Sequence, residues 1–389
     1  MTVIYMDNAA TSWPKPAEVS AAMIKTMEEA GGNAGRGGHR FAVAAGEILY
    51  QVRETVAAFF GSDDPFRVTF TANATESINL ILKGYLKQGD HVLVSPLEHN
   101  AVMRPLQFLS QQNIQWSVLP AGKDGRINPD LIEPTIRQNT RLFVICHESN
   151  VNGVIQPLHE ISEIAHSYQI PVLADCSQSA GSIPIAIDCE GIDFLAFTGH
   201  KSLLGPVGTG GIVWGSHVDV NQIFPLKQGG TGSASDRYVQ PDFLPDKFES
   251  GTLNTVGLAG LKAGIDWINR NQQNQVYLKK GELFREFLNE IRSIRRVHVF
   301  CAEKIENQGF VFSLTIDGID NGFAAQWLDE EKGILSRVGL HCAPLAHRFL
   351  HSFPAGTIRF AASPFTTSQD FEACIEAVKI LAENTTTLH

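Results

Sequence analysis

The chain has 389 residues, 43% hydrophobic and 19% charged, and carries a formal net charge of −10 at pH 7. That length and apolar content support a large core and two domains, whereas the acidic balance argues against a nucleic-acid-binding surface. No stretch reads as a membrane span or secretory signal, and six cysteines without Cys-x-x-Cys spacing fit a reducing compartment and offer no zinc or iron–sulfur site, so a cytoplasmic protein without a metal is expected.

In chain order, the first element that points to chemistry is a short β-branched and aromatic strand, Val68-Thr69-Phe70-Thr71, which runs through Ala72-Asn73 into a helical apolar pattern. The backbone N–H groups of Ala74 and Thr75 then lie at a helix N-terminus, where free donors and the positive end of the dipole favour a phosphate. An ordinary N-cap supported by Glu76 is the other reading of the same residues. Nucleotide binding finds no support, because the chain has no glycine-rich lysine-serine/threonine loop and no early glycine fingerprint.

Apolar strand-like runs follow at 91–95 and 141–145, then a helical pattern at 158–167. The run 169–175 is closed by Asp175, with Gln178 three residues on. A carboxylate at a strand tip keeps the ring nitrogen of a pyridoxal group protonated, or else serves as a turn carboxylate. The next run, Asp193-Phe194-Leu195-Ala196-Phe197, ends in Thr198-Gly199-His200-Lys201 and enters a glycine-rich segment, Gly205 and 208–211. A lysine held in a partly dry pocket at a strand end loses pKa, becomes nucleophilic near neutral pH and forms Schiff bases with aldehydes such as pyridoxal phosphate; a solvated loop lysine is the alternative.

A strand-like run at 210–214 completes an alternation that predicts a mostly parallel, doubly wound α/β sheet with its site at the strand ends. Beyond residue 255, amphipathic patterns at 258–270 and 279–294, strand-like runs at 297–300 and 310–316 and a final helix at 371–383 read as a smaller α+β domain, with a frayed end at 385–389.

Taken together in their order, Tyr5-Met6-Asp7-Asn8-Ala9-Ala10-Thr11, Lys15-Pro16, the stretch 33–39, Ala74-Thr75-Glu76, Glu98-His99-Asn100, Ser149-Asn150, Asp175 with Gln178, and Thr198-Gly199-His200-Lys201 resemble the class V aminotransferase superfamily. More narrowly, the chain resembles the cysteine desulfurases and selenocysteine lyases. The resemblance implies a fold-type I pyridoxal-phosphate-dependent transferase: a large cofactor domain at 16–254 with a mostly parallel seven-stranded sheet, and a smaller domain formed by 1–15 and 255–389.

The resemblance also implies roles. Lys201 would carry the pyridoxal 5'-phosphate and move the substrate's Cα proton. Asp175 would face the pyridinium, His99 would stack on the ring, and Gln178 and Asn150 would lie near its phenolic oxygen and the substrate. Ala74, Thr75, Thr198 and His200 would bind the phosphate, and Arg359 would take the substrate carboxylate through two parallel hydrogen bonds. The segment 248–254 matches one that reaches across a homodimer, which makes Thr252 a ligand to the neighbouring subunit's phosphate.

Ser336-Arg337-Val338-Gly339-Leu340-His341-Cys342-Ala343-Pro344 resembles the loop with the sulfur-accepting cysteine, so Cys342 is the expected persulfide carrier. A thiol attacks sulfur only as thiolate, and the basic neighbours Arg337 and His341 suit that need. Cys146, Cys176, Cys189, Cys301 and Cys374 read as structural or incidental. The absence of a long insertion around Cys342 resembles the desulfurases that rely on a sulfur-acceptor protein. Two departures, Gly35 where a histidine often precedes Arg36, and Leu340 where a second histidine often stands, leave open the choice between L-cysteine and L-selenocysteine. The rival functions are a class V aminotransferase, lyase or epimerase that does not use Cys342, and a non-catalytic sulfur-carrier partner or scaffold.

Overall fold

The computed structural model describes residues 3–35, 37–273 and 276–383. Arg36 and the chain end expected to fray, 385–389, lie outside the described residues.

The chain opens with β1 (Ile4–Tyr5), α1 (Ala17–Glu29) and α2 (Arg40–Phe59). It continues with β2 (Val68–Thr71), α3 (Ala74–Tyr85), β3 (His91–Val94), α4 (Asn100–Ser110), β4 (Gln115–Val118), β5 (Thr140–Cys146) and α5 (Leu158–Ser167). Then come β6 (Val172–Asp175), β7 (Phe194–Thr198), β8 (Gly210–Trp214), α6 (Thr255–Gln273) and α7 (Val276–Ser293). The last part holds β9 (Val297–Phe300), β10 (Val311–Ile316), α8 (Asn321–Lys332), β11 (Ile334–Leu335), β12 (Arg337–Gly339), α9 (Pro344–Phe349), β13 (Thr357–Ala361) and α10 (Ser368–Glu383).

Seven strands form one sheet in the order β2-β8-β7-β6-β5-β3-β4. The pairs from β7 to β4 are parallel, while β8 runs antiparallel to both β2 and β7. The sheet is buried on both faces because its central strands are apolar throughout, and the two-residue period of a strand sends alternate side chains to opposite cores. Phe143, Ile145, Leu195 and Phe197 enter one core, Leu142, Val144, Phe194 and Ala196 the other. Each such large side chain, fully buried, contributes about 1.5–3 kcal/mol of transfer free energy.

Four antiparallel strands, β12-β13-β10-β9, form a second sheet. Its core is aromatic: Phe312 stacks on Phe360 with centroids 5.5 Å apart, and Phe287 stacks on Phe371 at 4.7 Å. The N-terminal strand belongs with this unit, since Ile4 pairs with Ile334 and Tyr5 with Leu335 in a parallel two-stranded sheet. Helix α6 packs differently from the rest of its half: Leu258, Leu261, Ile265 and Ile268 lie in the core of the seven-stranded sheet, not among the phenylalanines.

Parallel strands put their carboxyl ends on one edge. Cys146, Asp175 and Thr198 are the last residues of β5, β6 and β7, and Cys146 pairs with Asp175, Asp175 with Ala196. The helices α3 and α4 begin at that same edge, which positions the site.

Candidate active site

One cavity at this edge is lined by Ala74, Thr75, His99, Asn150, Asp175, Gln178, Thr198, His200 and Lys201. Nine positions singled out in the sequence thus meet in one place, although they are spread from Ala74 to Lys201 along the chain. Asn73, Ala101, Cys146, Glu148 and Ser177 complete the lining.

Helix α3 enters through a reciprocal cap. Asn73 Oδ1 accepts from the N–H of Glu76 at 3.0 Å, and the Glu76 carboxylate accepts from the N–H of Ala72 at 2.8 Å. The first helical amides, of Ala74 and Thr75, have no acceptor one turn back and open to the cavity. Gly210 permits this close seat, since a Cβ there would stand 2.7 Å from Asn73 Cα and 2.8 Å from the carbonyl oxygen of Phe197.

His99 caps α4, and its Nδ1 accepts from the Ala101 N–H at 3.0 Å. That bond leaves the ring proton on Nε2. Burial, reinforced by the Lys201 charge, pushes the His99 pKa down to about 4, so the ring is neutral at physiological pH. His200 is likewise held near 4 by burial, with Lys201 and Lys15 adding to the effect. Its carbonyl gathers the Ser12 N–H at 3.0 Å, the Thr11 hydroxyl at 3.1 Å and Lys15 Nζ at 3.2 Å, fixing the backbone beside Lys201.

Lys201 keeps a partial opening to the cavity, yet protein surrounds its amine. Burial lowers its pKa and the Asp175 carboxylate opposes that shift. Asp175 Oδ1 accepts from the Ser177 N–H at 3.0 Å and from the Ser177 hydroxyl, which aims the carboxyl group. Gln178 donates through Nε2 to the Ala9 carbonyl at 3.0 Å, joining the N-terminal segment to the cavity floor.

Arg359, 2% exposed in the middle of β13, donates from Nη2 to Asp7 Oδ1 at 2.6 Å and from Nη1 to the Asn150 carbonyl at 3.1 Å. Its Nε has no partner among the described residues. Cys342 is exposed in the connection between β12 and α9. The loop is pinned: Asn100 N–H donates to the Cys342 carbonyl at 2.8 Å, and Asn150 Nδ2 to the His341 carbonyl at 2.7 Å. His341 does not supply the charge expected of it. It is buried, bonded through Nε2 to Thr357 Oγ1 at 3.1 Å, and burial drives its pKa far below the usual imidazole range.

Thr252 stands apart from these residues. It is exposed, accepts from Asn33 Nδ2 at 3.1 Å, and does not line this chain's cavity.

A further signal is that three of the buried polar atoms without a partner among the described residues, Thr198 Oγ1, His200 Nδ1 and Asn150 Oδ1, belong to cavity-lining residues. Buried polar groups normally find partners. A neutral His200 with its proton on Nδ1, the Thr198 hydroxyl and the α3 amides make a donor set suited to a phosphate.

The Aminotransferase class-V family model matches residues 4–374. The chain belongs to that family. A protein of Methanothermobacter thermautotrophicus called a probable cysteine desulfurase is 34% identical over 385 residues, covering 97% of this chain and 94% of its own. The apo structure of a cysteine desulfurase from Thermococcus onnurineus NA1 superposes with a TM-score of 0.91 at 28% identity, covering 98% of this chain and 95% of that one. The S-sulfonic acid form of the cysteine desulfurase CsdA from Escherichia coli gives 0.87, again at 28% identity and with the same coverage.

Two cavity residues of this class V chain carry no signal that sequence alone makes functional. Cys146 reads as the last residue of a buried strand, and only the pairing of β5 with β6 sets it beside Asp175. Its thiol donates to the Glu148 carbonyl at 3.3 Å, and burial raises its pKa well above the usual thiol value, so it stays protonated. Glu148 reaches the cavity from the loop that follows, its pKa pushed up to about 7 by burial.

Proposed function

We propose that this protein is a pyridoxal-phosphate-dependent cysteine desulfurase that moves sulfur from L-cysteine to Cys342 and releases L-alanine. The observation that carries this reading is Asn150, which lines the Lys201 cavity and holds the Cys342 loop by its side-chain amide. That link supports a proton-moving amine and a sulfur-accepting thiol that act on one substrate. The similarity to cysteine desulfurases of comparable length supports the same reading.

The residues present fit the cofactor. Lys201 would bond its aldehyde carbon, Asp175 would lie at the ring nitrogen, His99 over the ring face and Gln178 near the phenolic oxygen. Ala74, Thr75, Thr198 and His200 would hold the phosphate, and the partnerless Thr198 hydroxyl and His200 Nδ1 are the atoms that need such a ligand. Bound there, pyridoxal phosphate supplies an electron sink for the charge left when a Cα proton departs.

The protein's own steps follow from its geometry. Arg359 takes the substrate carboxylate, its free Nε and adjacent Nη2 presenting the two parallel donors that a carboxylate fits. Lys201 Nζ, with a lowered pKa, accepts the Cα proton and returns a proton to the product. The Cys342 thiolate attacks the substrate sulfur: an S–S bond forms, the Cβ–S bond breaks, and its electron pair stays with carbon. Cys342 ends as a persulfide and the three-carbon skeleton leaves as alanine.

Only four residues, 340–343, connect β12 to α9. Such a connection spans at most about 14 Å, so Cys342 has little reach of its own, which supports a sulfur-acceptor protein that comes to it. The exposure of Thr252 away from its own cavity supports a homodimer in which it meets the cofactor phosphate of a second copy.

The test incubates the yellow holoenzyme with L-cysteine and, separately, L-selenocysteine, quantifies alanine and measures intact mass for sulfur added at Cys342. Alanine formation with a trapped persulfide is expected. No alanine from either substrate, or an unchanged rate in Cys342→Ala, would overturn the proposal.

A further inference from the structure

At the opposite edge of the large sheet, three segments converge. Strand β7 ends near Lys201, so Asp193, just before it, lies at the far edge, about 16 Å away along the strand. Strand β8 is antiparallel and brings His217 back to that edge, and α5 places His166 there in its last turn. The two oxygens of Asp193 each face one imidazole: Oδ2 lies 2.9 Å from His166 Nε2, and Oδ1 lies 2.8 Å from His217 Nε2.

We propose that His166, Asp193 and His217 form a binding site for a divalent transition metal ion of the zinc type, remote from the Lys201 cavity. One ligand atom from each residue lies within 4.8 Å of the others. Donors around a tetrahedral Zn²⁺ with bonds of about 2.0–2.1 Å sit about 3.3 Å apart, a spacing these side chains reach by small rotations. Two imidazole nitrogens and a carboxylate suit Zn²⁺ and its first-row neighbours rather than Ca²⁺ or Mg²⁺, which prefer oxygen.

The elements of a built site are present. Asp193 is buried, with 6% of its side chain exposed, and the Val172 N–H donates to its Oδ2 at 2.7 Å, fixing the carboxylate. The His166 and His217 side chains are 34% and 57% exposed, which gives an ion its route in and leaves a coordination position for water. Nearby cations are engaged elsewhere: the Arg141 guanidinium stacks on Tyr85 at 4.4 Å and donates to Gln222 Oε1 at 3.2 Å, and Arg67 Nη1 donates to the Gly215 carbonyl at 2.7 Å. Metal binding requires each imidazole to present a lone pair at Nε2, so the ring proton moves to Nδ1 and the carboxylate exchanges its hydrogen bonds for the ion. The ion would fasten the end of α5, the start of β7 and the segment after β8 to one another, which makes it a stabilising ion and not a participant in the chemistry at Lys201.

The test titrates Zn²⁺ calorimetrically into metal-free holoenzyme, wild type against His166→Ala, His217→Ala and His217→Gln. Glutamine still donates to Asp193 but is a poor ligand, so it separates loss of the site from loss of folding, and matching metal-free melting curves check that directly. One Zn²⁺ per chain is expected, weakened in each variant by at least the roughly 10- to 100-fold that loss of an outer-sphere partner causes. Zn²⁺ should raise the melting midpoint of the wild type alone. The part of the Co²⁺ absorption lost in His217→Ala should lack thiolate-to-metal bands, because Cys189 and Cys342 are the exposed thiols that would compete. Equal Zn²⁺ binding in all four proteins, a thiolate signature in that difference spectrum, or no saturable binding overturns the assignment.

Discussion

The side-chain amide of Asn150 donates to the main-chain carbonyl of His341 at 2.7 Å, while the Asn150 carbonyl accepts from Arg359 Nη1 at 3.1 Å. One residue thus joins the proposed carboxylate-binding arginine to the proposed sulfur acceptor. The loop needs such a hold, because His341 and Cys342 both adopt left-handed backbone, with φ of 48° and 57°. That conformation costs a non-glycine residue about 1–2 kcal/mol. Asn150→Ala should therefore free the loop while the cofactor stays bound. Orphaning a buried carbonyl costs about 1–3 kcal/mol, which corresponds to a fall of about 5- to 150-fold in alanine formation. Alanine release measured alongside cofactor absorbance checks this, and a variant with an unchanged rate would show that the bond does not set the loop.

Replacing Lys201 should remove proton transfer at Cα without unfolding the protein, since alanine fits the space at the end of β7 and the Asp175 carboxylate keeps its hydrogen bonds from Ser177. Positioned proton transfer is worth roughly a hundred- to ten-thousand-fold, so Lys201→Ala should lose at least that factor in alanine formation. Borohydride reduction should fix cofactor mass on the wild type and none on the variant. Loss of His99, a neutral ring that binds without carrying the proton, should cost less.

The residues that line the Lys201 cavity were largely readable because an apolar strand announces its own end. Phe194-Leu195-Ala196-Phe197 and Val172-Leu173-Ala174 are buried runs, and the first polar residues after them must lie at the sheet edge. Helix α5 was legible for the same local reason, its apolar spacing fixing Leu158–Ser167. What local pattern does not encode is pairing between distant segments. Ile4 meets Ile334, and Asp7 meets Arg359, through contacts more than 300 residues apart in sequence. The same holds for α6, whose amphipathic pattern shows that it packs but not on which core, and for His341, whose charge depends on burial that no neighbouring residue reveals.

Arg359 should govern substrate affinity. Its Nη2 already contacts Asp7, and its Nε is free, so a planar guanidinium can keep one partner and add a carboxylate. An ammonium cannot present two parallel donors from a fixed plane. Arg359→Lys should raise the KM for L-cysteine by roughly tenfold or more, as expected for loss of a charge-assisted bond worth about 1.5–3 kcal/mol. Because lysine keeps a positive charge beside Asp7, the melting midpoint should fall less than in Arg359→Ala, which strands Asp7. A KM unchanged in Arg359→Lys would place the carboxylate site elsewhere.

Glu98 should make stability depend on pH with an unusual sign. It is fully buried beside the cavity-lining Cys146, where Oε1 accepts from the Ser95 hydroxyl and the Cys146 N–H, both at 2.7 Å, and Oε2 has no partner among the described residues. Burial, with the nearby Asp175 charge adding to it, pushes its pKa up to about 8, against about 4.3 for an unfolded glutamate. Between those values the folded protein binds the proton and the unfolded chain does not, so unfolding releases it and stability falls as pH rises. The stabilisation is complete below about pH 4.3 and is lost as pH rises through about 8. Glu98→Gln is neutral throughout and removes this contribution. Urea midpoints of wild type and Glu98→Gln, compared at pH 6 and pH 9, should show the wild type losing ground to the variant at the higher pH. Buried His147 and partly buried His99 and His200, each held near 4, act with the opposite sign, but below pH 6.5, where the unfolded chain binds protons that the folded state refuses. Parallel pH profiles for the two proteins from 6 to 9 would mean that Glu98 is ionised in the folded state.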